Sequence, residues 1–215
     1  LQAGLWEKNG RRWAYVEHQG RELLGKTVGL VGLGHIGQLV AERLGSWGAE
    51  LIAYDPYQTE EAAGRVDVSL VGWEEVFRQA DFLSLHLPLN EGTRGLIGEK
   101  ELCWMKPDAH LINTARAAVV VEEDLIRCLE EKWIAGAAVD VYHREPIGAD
   151  YPLLDLPHVI CTPHIGGASR DVVDHMAEIG LEGLFAFLAG ETPANLVNPE
   201  SIPEAREKIS GEFKS

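Results

Sequence analysis

Residues 27–55 read TVGLVGLGHIGQLVAERLGSWGAELIAYD, and their order decides the fold. An apolar run, Val28 to Val31, passes straight into Gly32-x-Gly34-x-x-Gly37. A helical period follows, with Ile36, Val40 and Leu44 spaced four apart on one face. Gly48 breaks it, and a second apolar run from Leu51 to Tyr54 ends on Asp55. Strand, glycine turn, helix, strand and acid form the first βαβ unit of a dinucleotide-binding fold. Gly32 permits the tight turn, Gly34 leaves the backbone open to a pyrophosphate, and Gly37 lets the helix pack closely on the sheet. The helix start, with the N–H groups of His35 and Ile36, then faces the phosphates. Asp55 at the strand tip accepts from ribose hydroxyls and repels a 2′-phosphate, which favours NAD over NADP. An ordinary strand-to-helix turn that binds nothing would leave Asp55 unexplained.

The 215 residues are enough for a sizeable core in one domain or slightly more. A formal net charge of −15 argues against nucleic acid and anionic membrane surfaces as partners. Cys103, Cys128 and Cys161 form no CxxC pair and read as buried or semi-buried thiols in a reducing compartment, with no metal site. No apolar run approaches the roughly 18 residues of a membrane span, and the chain starts with no signal-peptide pattern. Cytoplasm is the expected location.

Beyond Asp55 the chain alternates extended and helical patterns. A short extended piece lies around Val66 and Val68, and a helix over Trp73 to Ala80. FLSLHLPL (82–89) suits a buried parallel strand, with His86 inside it as a structural or cofactor-pocket histidine. Helices follow over Gly98 to Met105 and from Glu122 to about Lys132, with strands at Ala109–Thr114, Gly136–Tyr142 and Val159–Thr162. Ser169 to Leu188 is a long helical pattern, and an extended Pro- and Glu-rich tail follows Gly190. This alternation predicts a doubly wound α/β domain with a parallel sheet, of the Rossmann type.

Ligands gather at the carboxyl ends of such strands. Arg116, Asp140, Glu145 and His164 fall there. Reversible reduction of a 2-keto acid needs a cation for the carboxylate, which a planar, permanently charged Arg116 supplies. It also needs a proton donor near working pH, which suits His164 with Glu145 orienting the ring. Asp140 is placed to meet the nicotinamide carboxamide. Singly, Arg116 reads as a surface ion-pair partner, Glu145 as a turn residue and His164 as a helix cap. Together, at consecutive strand ends behind a dinucleotide fingerprint, they read as a site.

The segments GKTVGLVGLGHIG, YDP, SLHLPLNEGTRGLI, MKPDAHLINTARAAVV, GAAVDVYHREP and VICTPHIGGAS, in this order from residue 25 to 169, resemble the D-isomer-specific 2-hydroxyacid dehydrogenases. That family includes phosphoglycerate, glyoxylate/hydroxypyruvate and D-lactate dehydrogenases. The resemblance implies NAD as cofactor, a small 2-hydroxy or 2-keto acid as substrate, and a homodimer through the cofactor domain. It matches Arg116 to the substrate arginine, His164 to the catalytic histidine and Glu145 to the glutamate behind it. The pyrophosphate contacts match His35 and Ile36, and the ribose acid matches Asp55. Leu87, Pro88, Thr114 and Ala115 match the cofactor cleft, Asp140 the carboxamide partner, and Gly166 and Gly167 the loop beside the nicotinamide. Glu145 argues against the formate dehydrogenase branch, which lacks that acid.

Two departures stand out. Ala117 replaces the glycine usual after the arginine; its methyl is expected to be tolerated, with crowding of the Arg116 loop as the alternative. The family's first segment, which forms most of its substrate domain, has no counterpart here. The expected organisation is a lead-in over 1–24 carrying Trp6 and Trp13, an NAD-binding Rossmann domain over 25–167, and a return helix and tail over 168–215. The chain is thus expected to be the coenzyme-binding part of a longer enzyme. An NAD(H)-sensing module resembling the dehydrogenase-like corepressors is the alternative on the same fold, and a structural fragment that associates through apolar surface is a third.

Overall fold

The computed structural model describes residue 20 and residues 22–206. Trp6 and Trp13 lie outside the described residues. The chain divides into two compact units, Leu1–Gly166 and Gly167–Ser215.

In the first unit, β1 (Thr27–Val31) leads through the glycine turn into α1 (His35–Gly45) and back to β2 (Glu50–Tyr54). There follow α2 (Glu60–Gly64), β3 (Ser69–Leu70), α3 (Trp73–Gln79), β4 (Phe82–Leu85), α4 (Glu99–Leu102), β5 (His110–Asn113), α5 (Glu122–Glu130), β6 (Gly136–Val139) and β7 (Val159–Cys161). The seven strands form one parallel sheet in the order β3-β2-β1-β4-β5-β6-β7. The order reverses between β1 and β4, and a crevice opens there at the carboxyl edge.

Side-chain alternation explains why both faces are covered. From β1 and β2, Val28, Leu30, Leu51 and Ala53 enter one apolar cluster with Leu33 and Ala41 of the glycine turn and α1. Val31 and Ile52 face the opposite cluster, with Leu83, Leu85, Leu111, Phe77 and Leu129. Each fully buried leucine, such as Leu30, Leu83 or Leu111, contributes about 2 kcal/mol of transfer free energy.

Helix α1 keeps part of the expected stripe, with Val40 and Leu44 packed against this first cluster. Its buried residues are Gly37 and Ala41, whereas Ile36 is 59% exposed. The small residues face the sheet because the helix lies so close: a Cβ on Gly37 would stand 2.4 Å from the Gly32 carbonyl oxygen. Ile36 is turned away by the same geometry.

The predicted strands run past the observed ends. β4 stops at Leu85, so His86 lies beyond the strand and not inside it, although its N–H still donates to Val31 O (2.8 Å). Pro88 has no N–H to continue the ladder. The helix expected over Gly98 to Met105 is regular only over Glu99–Leu102, and Cys103 at its end is exposed instead of buried. β3 begins at Ser69, just after the extended piece expected at Val66 and Val68.

The second unit holds α6 (Val172–Leu188). Its tail is not simply extended. Pro199–Ser201 forms a 3-10 turn with proline in its first positions, and helical residues continue to 206. Among the described residues, no helix is long and apolar enough to cross a membrane, and no group of three or more His, Cys, Asp or Glu side chains is placed to hold a metal ion.

Candidate active site

The glycine turn sits over the end of β4. Gly32 has φ +96°, which side-chain-bearing residues rarely adopt, and a Cβ there would meet His86 O at 2.6 Å. Gly34 caps α1 with no side-chain hydrogen bond and faces open space. The first N–H groups of α1, including those of His35 and Ile36, therefore point at an open mouth with the positive end of the helix dipole behind them.

Asp55 braces this turn. Its Oδ2 accepts the N–H of Leu33 (2.8 Å) and its Oδ1 that of Tyr57 (2.9 Å). Each carboxylate oxygen retains a lone pair, so the acid can still receive two hydroxyls. A cavity of about 510 Å³ opens between Gly32, Gly34, Asp55, Leu87 and Pro88. Its wall also carries Tyr54 and Trp73, ring centroids 5.0 Å apart, and His86. Burial lowers the His86 pKa and favours the neutral ring, whose Nε2 lies 3.0 Å from Ser84 Oγ. The open Gly34, the uncapped helix start and the acid at the strand tip fit a dinucleotide, with pyrophosphate on the helix and ribose on Asp55.

At the end of β5, buried Asn113 shapes the next loop. Its Oδ1 accepts the Ala115 N–H (3.1 Å) and its Nδ2 donates to Arg116 O (3.2 Å). Thr114 is exposed and Ala115 half-buried beside it. Arg116 is exposed and folds its Nη1 back onto Ala115 O (2.6 Å). Ala117 starts a 3-10 turn and has no positive φ, a backbone that needs no glycine, as expected for a tolerated methyl.

Past β6 and β7 the remaining groups converge. Asp140 is buried, and its carboxylate accepts the Thr162 hydroxyl and the N–H groups of Ile165 (2.9 Å) and Gly166 (2.7 Å). Burial alone would raise its pKa, but these three donors outweigh it and hold the group below the usual carboxylate range. One acceptor position on Oδ2 remains for a further donor. Glu145, followed by a cis peptide bond to Pro146, places Oε2 at 2.9 Å from His164 Nδ1. The His164 contact, then the Tyr142 N–H (3.0 Å to Oε1), hold the Glu145 carboxyl below its ordinary value. An ionised carboxylate only accepts, so Nδ1 of His164 carries a proton and Nε2 is left for chemistry. This pair lines a second cavity of about 600 Å³ with Ile147, Leu154 and Pro163. Gly167 opens the second unit, where its carbonyl accepts the Ser169 N–H (3.2 Å).

Sequence reasoning missed Asn113, Thr162, Tyr142, Tyr54 and Trp73. Of these, Asn113 and Thr162 carried a readable signal, since both are polar and end apolar strands.

Residues 2–166 match the family model described as D-isomer specific 2-hydroxyacid dehydrogenase, NAD binding domain. The chain belongs to this family. It is an NAD-binding domain of the D-isomer-specific 2-hydroxyacid dehydrogenases, and the parallel sheet and glycine turn are that domain's. Over 202 residues it is 42% identical to the glyoxylate reductase of Thermococcus litoralis, covering 94% of this chain and 61% of that protein. The structure superposes on D-lactate dehydrogenase with NAD+ from Lactobacillus jensenii with a TM-score of 0.76 at 36% identity, covering 84% of this chain and 58% of that one. An acyclic imino acid reductase in complex with NADPH and D-Arg also matches, with a TM-score of 0.76 at 30% identity and coverage of 91% and 61%. The chain thus spans about three fifths of the length of these proteins.

Proposed function

We propose that this chain is the coenzyme-binding part of an NAD-dependent oxidoreductase acting on the CH–OH group of a D-2-hydroxy acid, reducing the corresponding 2-keto acid. The observation that carries this reading is the His164–Glu145 pair, 2.9 Å apart, on the loops that follow β6 and β7. The bound nicotinamide would supply and receive the hydride. Arg116 would release Ala115 O, swing outward and pair with the substrate carboxylate. In the reducing direction protonated His164 donates from Nε2 to the forming alkoxide oxygen, and in the oxidising direction neutral His164 takes the hydroxyl proton. Glu145 holds the Nδ1 proton in both directions.

His35 and Ile36 would bind pyrophosphate through their N–H groups. Leu87, Pro88, Thr114 and Ala115 would line the cleft, and Asp140, Gly166 and Gly167 would flank the nicotinamide. The reductase and dehydrogenase names of the relatives favour turnover over a sensing module. We place the protein in the cytoplasm, consistent with its three free thiols, and expect a homodimer through this domain, which sedimentation would read directly.

Asp55 offers a cofactor test. Asp55→Ala should weaken NADH binding by roughly 10- to 100-fold, the worth of hydrogen bonds to a charged acceptor. It should also narrow the preference for NADH over NADPH. An unchanged ratio of the two Kd values would remove Asp55 from cofactor selection. The activity itself is read with the unsubstituted protein, by NADH oxidation in the presence of a panel of small 2-keto acids. Binding of NADH with no oxidation by any of them, in a chain carrying the family's full length, would favour the sensing module.

A further inference from the structure

His164 and Glu145 sit on two different loops and are both substantially exposed, so something else must fix their geometry. His164 adopts φ +54°, in the left-handed region that residues other than glycine rarely occupy. A backbone held there needs restraint from its surroundings. Part of that restraint is the Asp140 carboxylate on Ile165 and Gly166, just after the histidine. Before the histidine, Thr162 is held by its N–H on Val139 O (3.0 Å), by its hydroxyl on Asp140, and by Tyr142.

Tyr142 is buried, three residues past the end of β6. Its backbone N–H donates to Glu145 Oε1 (3.0 Å). Its hydroxyl reaches Thr162 O (2.9 Å), with Val139 O at 3.3 Å. Thr162 O is also the acceptor for the His164 N–H (3.0 Å). One residue therefore holds the glutamate by its backbone and the carbonyl that turns the histidine by its side chain. The ring cannot slide away, because it packs edge-on against Tyr151 with centroids 5.5 Å apart, and Tyr151 is tied by its own hydroxyl to Glu122 Oε1 (2.9 Å). Burial, followed by the neighbouring Cys161 thiol and the Asp140 and Glu145 carboxylates, pushes the Tyr142 phenol up to about 12. It stays a donor throughout the neutral range.

We propose that Tyr142 is a positioning residue for the His164–Glu145 pair, its hydroxyl fixing the Thr162 carbonyl against which the His164 backbone turns. The effect on turnover rests on the dehydrogenase reading above, whereas the effect on the pair's geometry does not. Tyr142→Phe keeps the ring and removes only the hydroxyl.

The test follows the Glu145 carboxyl by carbon NMR in the 215-residue chain, with and without this substitution, alongside NADH titration and thermal melting. In the parent, the Glu145 midpoint lies below the ordinary glutamate value, and the pair is lost as pH falls through it. In Tyr142→Phe that midpoint should rise toward the ordinary value, as the histidine contact loosens. NADH affinity should stay within about twofold, because the glycine turn and Asp55 are untouched. In a catalytically active full-length form kcat should fall roughly tenfold, with KM for the keto acid little changed. A second reading needs no substitution: the Tyr142 hydroxyl proton should exchange slowly and lie close to the His164 amide. An identical Glu145 midpoint in both chains, whatever the melting temperature does, or a rapidly exchanging Tyr142 hydroxyl would overturn the proposal. Failure of the dehydrogenase reading would show separately, as a full-length form that binds NADH and oxidises it with none of the 2-keto acids.

Discussion

Replacing His164 with alanine is expected to reduce 2-keto acid turnover by about a thousandfold, the scale of a lost general acid. NADH affinity should change by no more than about twofold, since none of the groups around the glycine turn is disturbed. The separation of the two effects follows from geometry. The imidazole is held at Nδ1 by Glu145 and leaves Nε2 for the reacting oxygen. It is absent from the cavity formed by Gly32, Gly34 and Asp55. Steady-state rates and fluorescence titration measure the two quantities independently. Turnover that survives this substitution would show that the proton comes from elsewhere.

The second large effect falls on stability. Gly37→Ala should lower it by roughly 3 kcal/mol, in the range of severe overpacking. Melting should drop by about 10 °C on the scale of domains this size. The new methyl would stand 2.4 Å from Gly32 O, a backbone atom of the same turn, so α1 must back away from β1. NADH affinity should fall at least tenfold with it, because the helix start and the turn move together. Gly34→Ala is the contrast. Its Cβ meets nothing within 4 Å, so melting should hardly change while NADH binding still weakens, the added methyl occupying the phosphate's approach. Equal melting temperatures for Gly37→Ala and the parent would contradict the close-packing account.

The glycine turn and Asp55 were legible because the information is local: spacing along one strand, one turn and one helix. The fold class followed from alternation, which survives errors of a residue or two at each boundary. The strand ends did not follow. Leu87, Val141 and Tyr142 extend the apolar runs, yet they lie in the loops that follow the strands and not in the ladder. Burial without strand pairing looks the same in sequence as burial within a strand. Helix α1 shows a related difficulty, since the choice of Ala41 over Ile36 for the buried face depends on how near the sheet lies.

In the candidate site, His164, Glu145 and Arg116 were legible as chemistry, but their supports were not. Tyr142 reads as one more aromatic residue in a strand, and its role depends on a carbonyl 20 positions away in sequence. Asp140 read as a cofactor contact, whereas most of its acceptor capacity is spent on the His164 loop. The turned-in guanidinium of Arg116 is a rotamer, which residue spacing does not encode.

The most direct test of the central claim is titration of the 215-residue chain with NADH and then NADPH. Binding is read as energy transfer from tryptophan to the nicotinamide, and Trp73 on the cavity wall is placed to report it. NADH should bind saturably, with NADPH weaker by at least about tenfold from the repulsion between its 2′-phosphate and Asp55. Saturable binding of NADPH with equal or greater affinity, or binding of neither nucleotide by the folded chain, would contradict that claim.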